Sequence, residues 1–115
     1  MNGYIPSFFG AGAAFYASCM KADLDLGDCG DLSKIRALGV TGSPLSEDVQ
    51  RWGTEQFAKL AARTGNAAQK DIWWCNISGG TDFAGAFIGG HRELPLIAGE
   101  MQCRLLGCAV EAWDE

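Results

Sequence analysis

Two apolar runs, Ile35–Thr41 (IRALGVT) and Asp71–Ile77 (DIWWCNI), each break off into a turn of small residues. Gly42-Ser43-Pro44 follows the first and Ser78-Gly79-Gly80-Thr81-Asp82 follows the second. Both runs are too short for an ordinary helix and read as buried strands, and the second is apolar on both faces. Strands of that kind are found in parallel sheets covered by helices. The segment between them is helical in pattern. Ser46 precedes it as an N-cap, Glu47 and Asp48 sit in the first turn, and Val49, Trp52, Phe57 and Leu60 form an apolar stripe over Glu47–Ala62. Arg63–Lys70 is polar and reads as a loop. The middle of the chain is therefore a β-α-β unit, right-handed if its strands are parallel.

On either side the pattern is less regular. Phe8, Ala11, Phe15 and Cys19 recur at helix spacing, as do Ala14, Ala17 and Met20, so Phe8–Lys21 is expected to be a helix capped by Ser7, although Gly10 and Gly12 weaken it. Asp23–Asp31 (DLDLGDCGD) is an acidic loop. Its spacing is not that of a calcium-binding hand, because the twelfth position from Asp23 is Lys34 rather than Glu. After Ser78 the pattern changes: Thr81–Ile88 reads as an apolar connector and Gly89–Pro95 as a turn. Leu96–Ile97, Glu100–Leu105 and Ala109–Trp113 alternate like strands between Gly99 and Gly107. The expected fold class is α/β, a partial three-layer parallel β-α-β unit followed by short antiparallel strands. With 115 residues one domain is expected, residues 8–95 forming the α/β part and 96–115 the start of a β subdomain.

Charge limits the partners. Nine Lys and Arg against fourteen Asp and Glu leave a net charge of −5, which excludes a broad nucleic-acid surface. A local anion site made of backbone N–H groups is still open to such a chain. No apolar run is long enough to span a bilayer, and in MNGYIPSFFGAGAAFYASCM the first basic residue, Lys21, follows the apolar stretch instead of preceding it. The expectation is a cytoplasmic protein without a membrane or nucleic-acid partner. Five cysteines with no CxxC pair, and one histidine, give no zinc pattern and read as buried free thiols.

The two strand-end turns carry the candidate chemistry. In open α/β sheets ligands collect beyond the carboxyl ends of the strands. Gly42, Gly79 and Gly80 let backbone approach a flat base or a phosphate without a Cβ in the way. Thr81 offers a hydroxyl to a phosphate oxygen, and Asp82 a carboxylate to a hard cation such as magnesium. The same five residues also make a good turn and helix cap. Trp73 and Trp74 are expected in the core and Trp52 in helix packing. His91, in a Gly-rich turn without partners, is not expected to be catalytic, and Arg104 reads as structural or surface.

The stretch SGGTDFAGAFIGGHRELPLIAGEMQCRLLGCAVEAWDE, with FFGAGAAF and TGSPL upstream in the same order, resembles the adenylate-forming acyl-CoA synthetases, and among them the acetoacetate–CoA ligases. The resemblance covers residues 8–115 and implies a set of roles. Gly42, Ser43 and Pro44 would contact adenine, Thr81 would bind the AMP phosphate, and Gly80 would belong to the same nucleotide site. Asp82 would stand near magnesium, where the family often has Glu. Phe9, Gly10 and Ala11 would line the acyl pocket at a helix start, and Gly79, in place of a bulky aromatic, would open that pocket for acetoacetate. ATP or AMP, an acyl-adenylate and magnesium are the implied ligands. The family's Ser/Thr/Gly-rich phosphate loop with its lysine, its ribose-binding aspartate and its C-terminal catalytic lysine do not occur in these 115 residues. The expectation is a ligase-derived segment without activity of its own, prone to self-association through uncovered strand edges. A small stand-alone binding or assembly protein that reuses the segment is the alternative, and a minimal enzyme of another kind the third.

Overall fold

The computed structural model describes residues 6–114. Five of the N-terminal residues weighed above as a leader, Met1–Ile5, and Glu115 lie outside that range. The element order is β1 (Phe8–Gly12), α1 (Ala13–Lys21), β2 (Ala37–Thr41), α2 (Glu47–Thr64), β3 (Trp73–Asn76), β4 (Ser78–Gly80), β5 (Gly85–Gly89) and β6 (Cys103–Arg104). Two short 3-10 turns, Leu26–Asp28 and Ala67–Asp71, lie ahead of β2 and β3. Strands β1, β2 and β3 form a parallel sheet in that order, and β4, β5 and β6 an antiparallel one. The chain is thus mixed α/β, parallel first and antiparallel after.

The expected β-α-β centre is present. Leu38 stands opposite Trp74 and Gly39 opposite Cys75 in the β2–β3 ladder. Helix α2 begins where its cap says it should: the Ser46 hydroxyl accepts the Val49 N–H at 3.4 Å. It runs two residues beyond Ala62 and stops at Gly65, whose φ of 72° lets its N–H close back onto the Ala61 carbonyl. The buried stripe is Val49, Gly53, Phe57, Leu60 and Ala61, with Trp52 half-buried beside it.

The N-terminal helix is shorter than its spacing implied. Phe8–Gly12 is a strand, and the helix starts only at Ala13, with Gly12 rather than Ser7 at its cap position. Glycines at 10 and 12 penalise a helix there. The extended form also pairs Phe8–Gly12 rung by rung with Ala37–Thr41, while Phe9 and Ala11 pack against the core. The tail differs as well. Of its three expected strands only Cys103–Arg104 pairs, and the antiparallel sheet starts at Ser78, not near Leu96.

One core holds the parallel half together. Leu38, Val40, Ile72 and Trp74 from the sheet side meet Ala13 and Tyr16 of α1 and Val49, Phe57 and Leu60 of α2. Trp74 is fully buried, its Nε1–H donates to Thr54 Oγ1 at 3.0 Å, and the Tyr16 ring meets it edge-on at 5.2 Å. Buried Gln69 ties the approach to β2 down, its Nε2–H donating to the carbonyls of Leu32 (2.8 Å) and Ile35 (3.0 Å).

Candidate functional site

Strands β2 and β3 end side by side because their pairing is parallel and in register. The Ile77 N–H extends that pairing by one bond to the Val40 carbonyl at 2.8 Å. The turns that follow must therefore diverge from neighbouring points, and they leave a cleft of about 480 Å³ between them. One wall is Thr41, Gly42, Ser43 and Pro44. The other is Asn76, Ile77, Ser78 and Gly79, and Gly99–Met101 borders it. Gly42 sits at φ +91°, a conformation that admits no side chain without strain, and its place at the turn follows from that.

The structure brings Gly42, Ser43, Pro44 and Gly79 together along this one cleft, although the resemblance divided them between an adenine contact and an acyl pocket. Six other candidates stand apart. Gly80 ends β4 without lining the cleft, and a Cβ there would lie 2.9 Å from Cε1 of the Phe83 ring. Thr81 and Asp82 are exposed in the four-residue turn to β5, closed by the Ala84 N–H on the Thr81 carbonyl at 3.1 Å. Phe9, Gly10 and Ala11 lie on β1, separated from β3 by β2, and do not line this cleft. They stand in a strand, not at the helix start from which their acyl-pocket role was argued.

Gly79 has a structural reason to be small. A Cβ there would fall 2.8 Å from Ala86 Cα, against the β5 backbone, next to the irregularity in register between Ser78 and Gly79. Two contributors went unnoticed in the sequence. Asn76 Oδ1 is buried at the cleft wall and has no hydrogen-bond partner. An amide inside an apolar strand carries no periodic signal, and only its place directly before a strand-end turn hints at a ligand. The second is Gln102. Its Oε1 accepts from Trp73 Nε1 (3.2 Å) and the His91 N–H (3.0 Å), and its Nε2–H donates to the carbonyls of Leu94 and Pro95. Gln102 thereby braces the 91–95 turn against β3.

His91 serves that turn through Nδ1, which accepts the Glu93 N–H at 3.3 Å. In the acidic loop Asp25 and Asp31 accept the backbone N–H groups of Gly27 and Ser33, and the bond to Ser33 holds the Asp31 carboxyl below its ordinary range. Burial pushes the Cys75 thiol up, which keeps it protonated beside Gly90. Among the described residues no group of three or more His, Cys, Asp or Glu could hold a metal ion, so Asp82 offers one carboxylate only. No helix among the described residues is long and apolar enough to cross a membrane.

No family model matches the chain. Full-length proteins do. An acetoacetyl-CoA synthetase of Caenorhabditis elegans is 32% identical over 108 residues, which are 94% of this chain and 14% of the relative. An acetoacetyl-coenzyme A synthetase of Rhizobium meliloti (strain 1021) is 32% identical over 107 residues, 93% of this chain and 15% of the relative. In three dimensions the acetoacetyl-CoA synthetase from Streptomyces lividans superposes with a TM-score of 0.77 at 38% identity, covering 94% of this chain and 16% of that one. Over nearly its whole length, then, the chain is homologous to one segment of these synthetases and has the fold of that segment.

Proposed function

We propose, taking the chain as a homologue of one segment of the acetoacetyl-CoA synthetases, that the cleft between the β2 and β3 turns receives the adenine of an adenylate. The parent reaction would join acetoacetate to CoA with ATP cleaved to AMP and pyrophosphate. The observation that carries this reading is the orphaned Asn76 Oδ1. A buried acceptor without a donor costs roughly 1–3 kcal/mol. The exocyclic amine of adenine is a donor of the right kind, and Gly42 leaves the opposite wall free for a flat ring. Thr81 would then offer its hydroxyl to the phosphate and Asp82 its carboxylate to magnesium, whose charge offsets that of the phosphates. Gly79, with Phe9, Gly10 and Ala11, is the proposed acyl side.

These residues make walls and contacts, without the dense positive charge that phosphoryl chemistry needs. We therefore expect the 115-residue chain by itself to turn over nothing. ATP, acetoacetate and CoA incubated with it should give neither AMP nor thioester beyond the protein-free rate, and enzyme-dependent AMP release would overturn this. Binding is tested separately by calorimetry. AMP should bind, and IMP, which replaces the amine by a carbonyl, should bind about tenfold more weakly. Asn76→Ala should erase that difference. Equal affinity for the two nucleotides would sink the adenine reading.

A second reading, self-association, rests on different residues. The outer edge of β1 carries no charge, and Phe8 and Phe15 beside it are exposed. Uncharged open edges template pairing with another strand. Light scattering should find dimers or larger species, and a monomer at high concentration would count against it.

A further inference from the structure

A larger cleft, about 690 Å³, lies at the opposite end of β3 from the adenine candidate. Its floor is Ile72 and Trp73, one wall is the first half of α2, and the other is the 92–98 segment that Gln102 holds in place. Gln50 lines it from α2. That side chain is 4% exposed, and its Oε1 is buried without a partner. Its neighbour Thr54 is already committed to Trp74 and to the Gln50 carbonyl, and so cannot relieve it. The terminal torsion of Gln is soft and roughly two-fold, so a flip of the carboxamide exchanges its nitrogen and oxygen and presents the oxygen to a donor in the cleft. The charged lining residues cancel: Arg51 and Arg92 against Glu55 and Asp71. Arg92 is further engaged over the Trp73 ring at 5.6 Å.

We infer that this cleft is a second binding site, for a small neutral ligand with an apolar body and an amide N–H. The volume is that of an ordinary small-molecule site. The half-buried Trp73 ring gives the body an apolar surface to cover, while Ile72 beneath is already buried. The orphaned oxygen selects an N–H donor, and the balanced rim gives an anion such as a nucleotide no advantage. The site owes nothing to the adenine cleft and stands if that reading fails.

The test is a titration of the ¹⁵N-labelled chain with N-acetyl-L-leucinamide, followed by NMR at the Gln50 carboxamide and the Trp73 indole N–H. Both signals should move together and saturate. Isoamyl acetate, apolar but without N–H, should bind about tenfold more weakly, and Gln50→Leu should weaken the amide by about the same factor. That variant removes an unsatisfied buried group, so the fold should tolerate it. Three results would each overturn the proposal: no saturable shift, equal binding of ester and amide, or unchanged affinity in Gln50→Leu. Displacement of the amide by AMP would overturn the independence of the two clefts.

Discussion

Gly53 of α2 and Trp74 of β3 touch so closely that a Cβ on Gly53 would lie 2.5 Å from Cζ2 of the indole. The helix has a glycine in its middle because the largest core side chain needs that space. Replacing it by Ala sets two effects against each other. Helix propensity gains about 1 kcal/mol. Overpacking a fully buried ring costs about 1–3 kcal/mol. The indole is pinned by its bond to Thr54 and cannot slide away, so the cost should win. Gly53→Ala should lower the urea midpoint, by up to about 2 kcal/mol in stability, and an increase would show that the sheet yields instead.

Gly79→Ala discriminates between two reasons for one glycine. If the residue is small only to enlarge a ligand pocket, alanine should leave the fold intact. The backbone of β5 stands where the methyl would go. The substitution should therefore loosen the β4–β5 pairing and speed amide exchange over Ser78–Gly89 by at least about tenfold, with the parallel sheet unaffected.

Gln69 is fully buried, donates to two carbonyls and accepts from Thr64 Oγ1 at 2.7 Å. Gln69→Leu keeps the volume and strands those groups, although Asn66 Nδ2 still reaches the Ile35 carbonyl. A loss of about 2–3 kcal/mol is expected by thermal or chemical unfolding. Lys70→Ala next door, exposed, should change stability by less than about 0.5 kcal/mol.

Tyr16 makes the protein sensitive to alkali. Burial, and secondarily the neighbouring Cys19, push its phenol well above the ordinary value, and its hydroxyl donates to the Gly39 carbonyl at 3.0 Å. The folded state holds the protonated form more firmly than the unfolded chain, where the phenol titrates near 10. Its contribution is thus complete below about pH 10 and is lost as pH rises beyond that. Tyr16→Phe should cost about 1 kcal/mol at pH 7 and flatten the fall in stability between about pH 10 and 12. A wild-type curve with no decline there would contradict this.

Legibility in the sequence tracked how many independent signals coincided. Helix α2 has Ser46, an acidic first turn, an apolar stripe and Gly65, and both ends were found within two residues. Strands β2 and β3 were found from apolar runs that stop at glycine turns. Strand β1 was missed because FFGAG satisfies both periods: Phe8, Ala11 and Phe15 fit a helix, while Phe9 and Ala11 fit a buried strand face, and only pairing with β2 decides. The tail alternates as strands do, but its ladder ends at Arg104, and beyond it only single bonds reach β5, the Leu105 N–H to the Phe87 carbonyl and the Cys108 thiol to the Ala86 carbonyl. The adenine candidates Gly42–Pro44 were legible from position at strand ends. Asn76 was not, since its importance lies in a bond it fails to make. For Thr81 and Asp82 the turn chemistry was readable, and their distance from the cleft was not.

The parallel ladder has a consequence for how the chain reaches its fold. Phe8 pairs with Ala37, and Ala37 with Trp73, so no rung joins residues fewer than about 30 apart. Loop closure must precede every one of those contacts, which slows such topologies relative to local ones. On a ribosome β1 finds no strand partner among the described residues until Thr41 has emerged, and β2 waits a further stretch for Asn76. In that interval the segment Phe8–Gly12, uncharged and doubly aromatic, is an open template. The order of emergence therefore sets how long that strand edge stays uncovered.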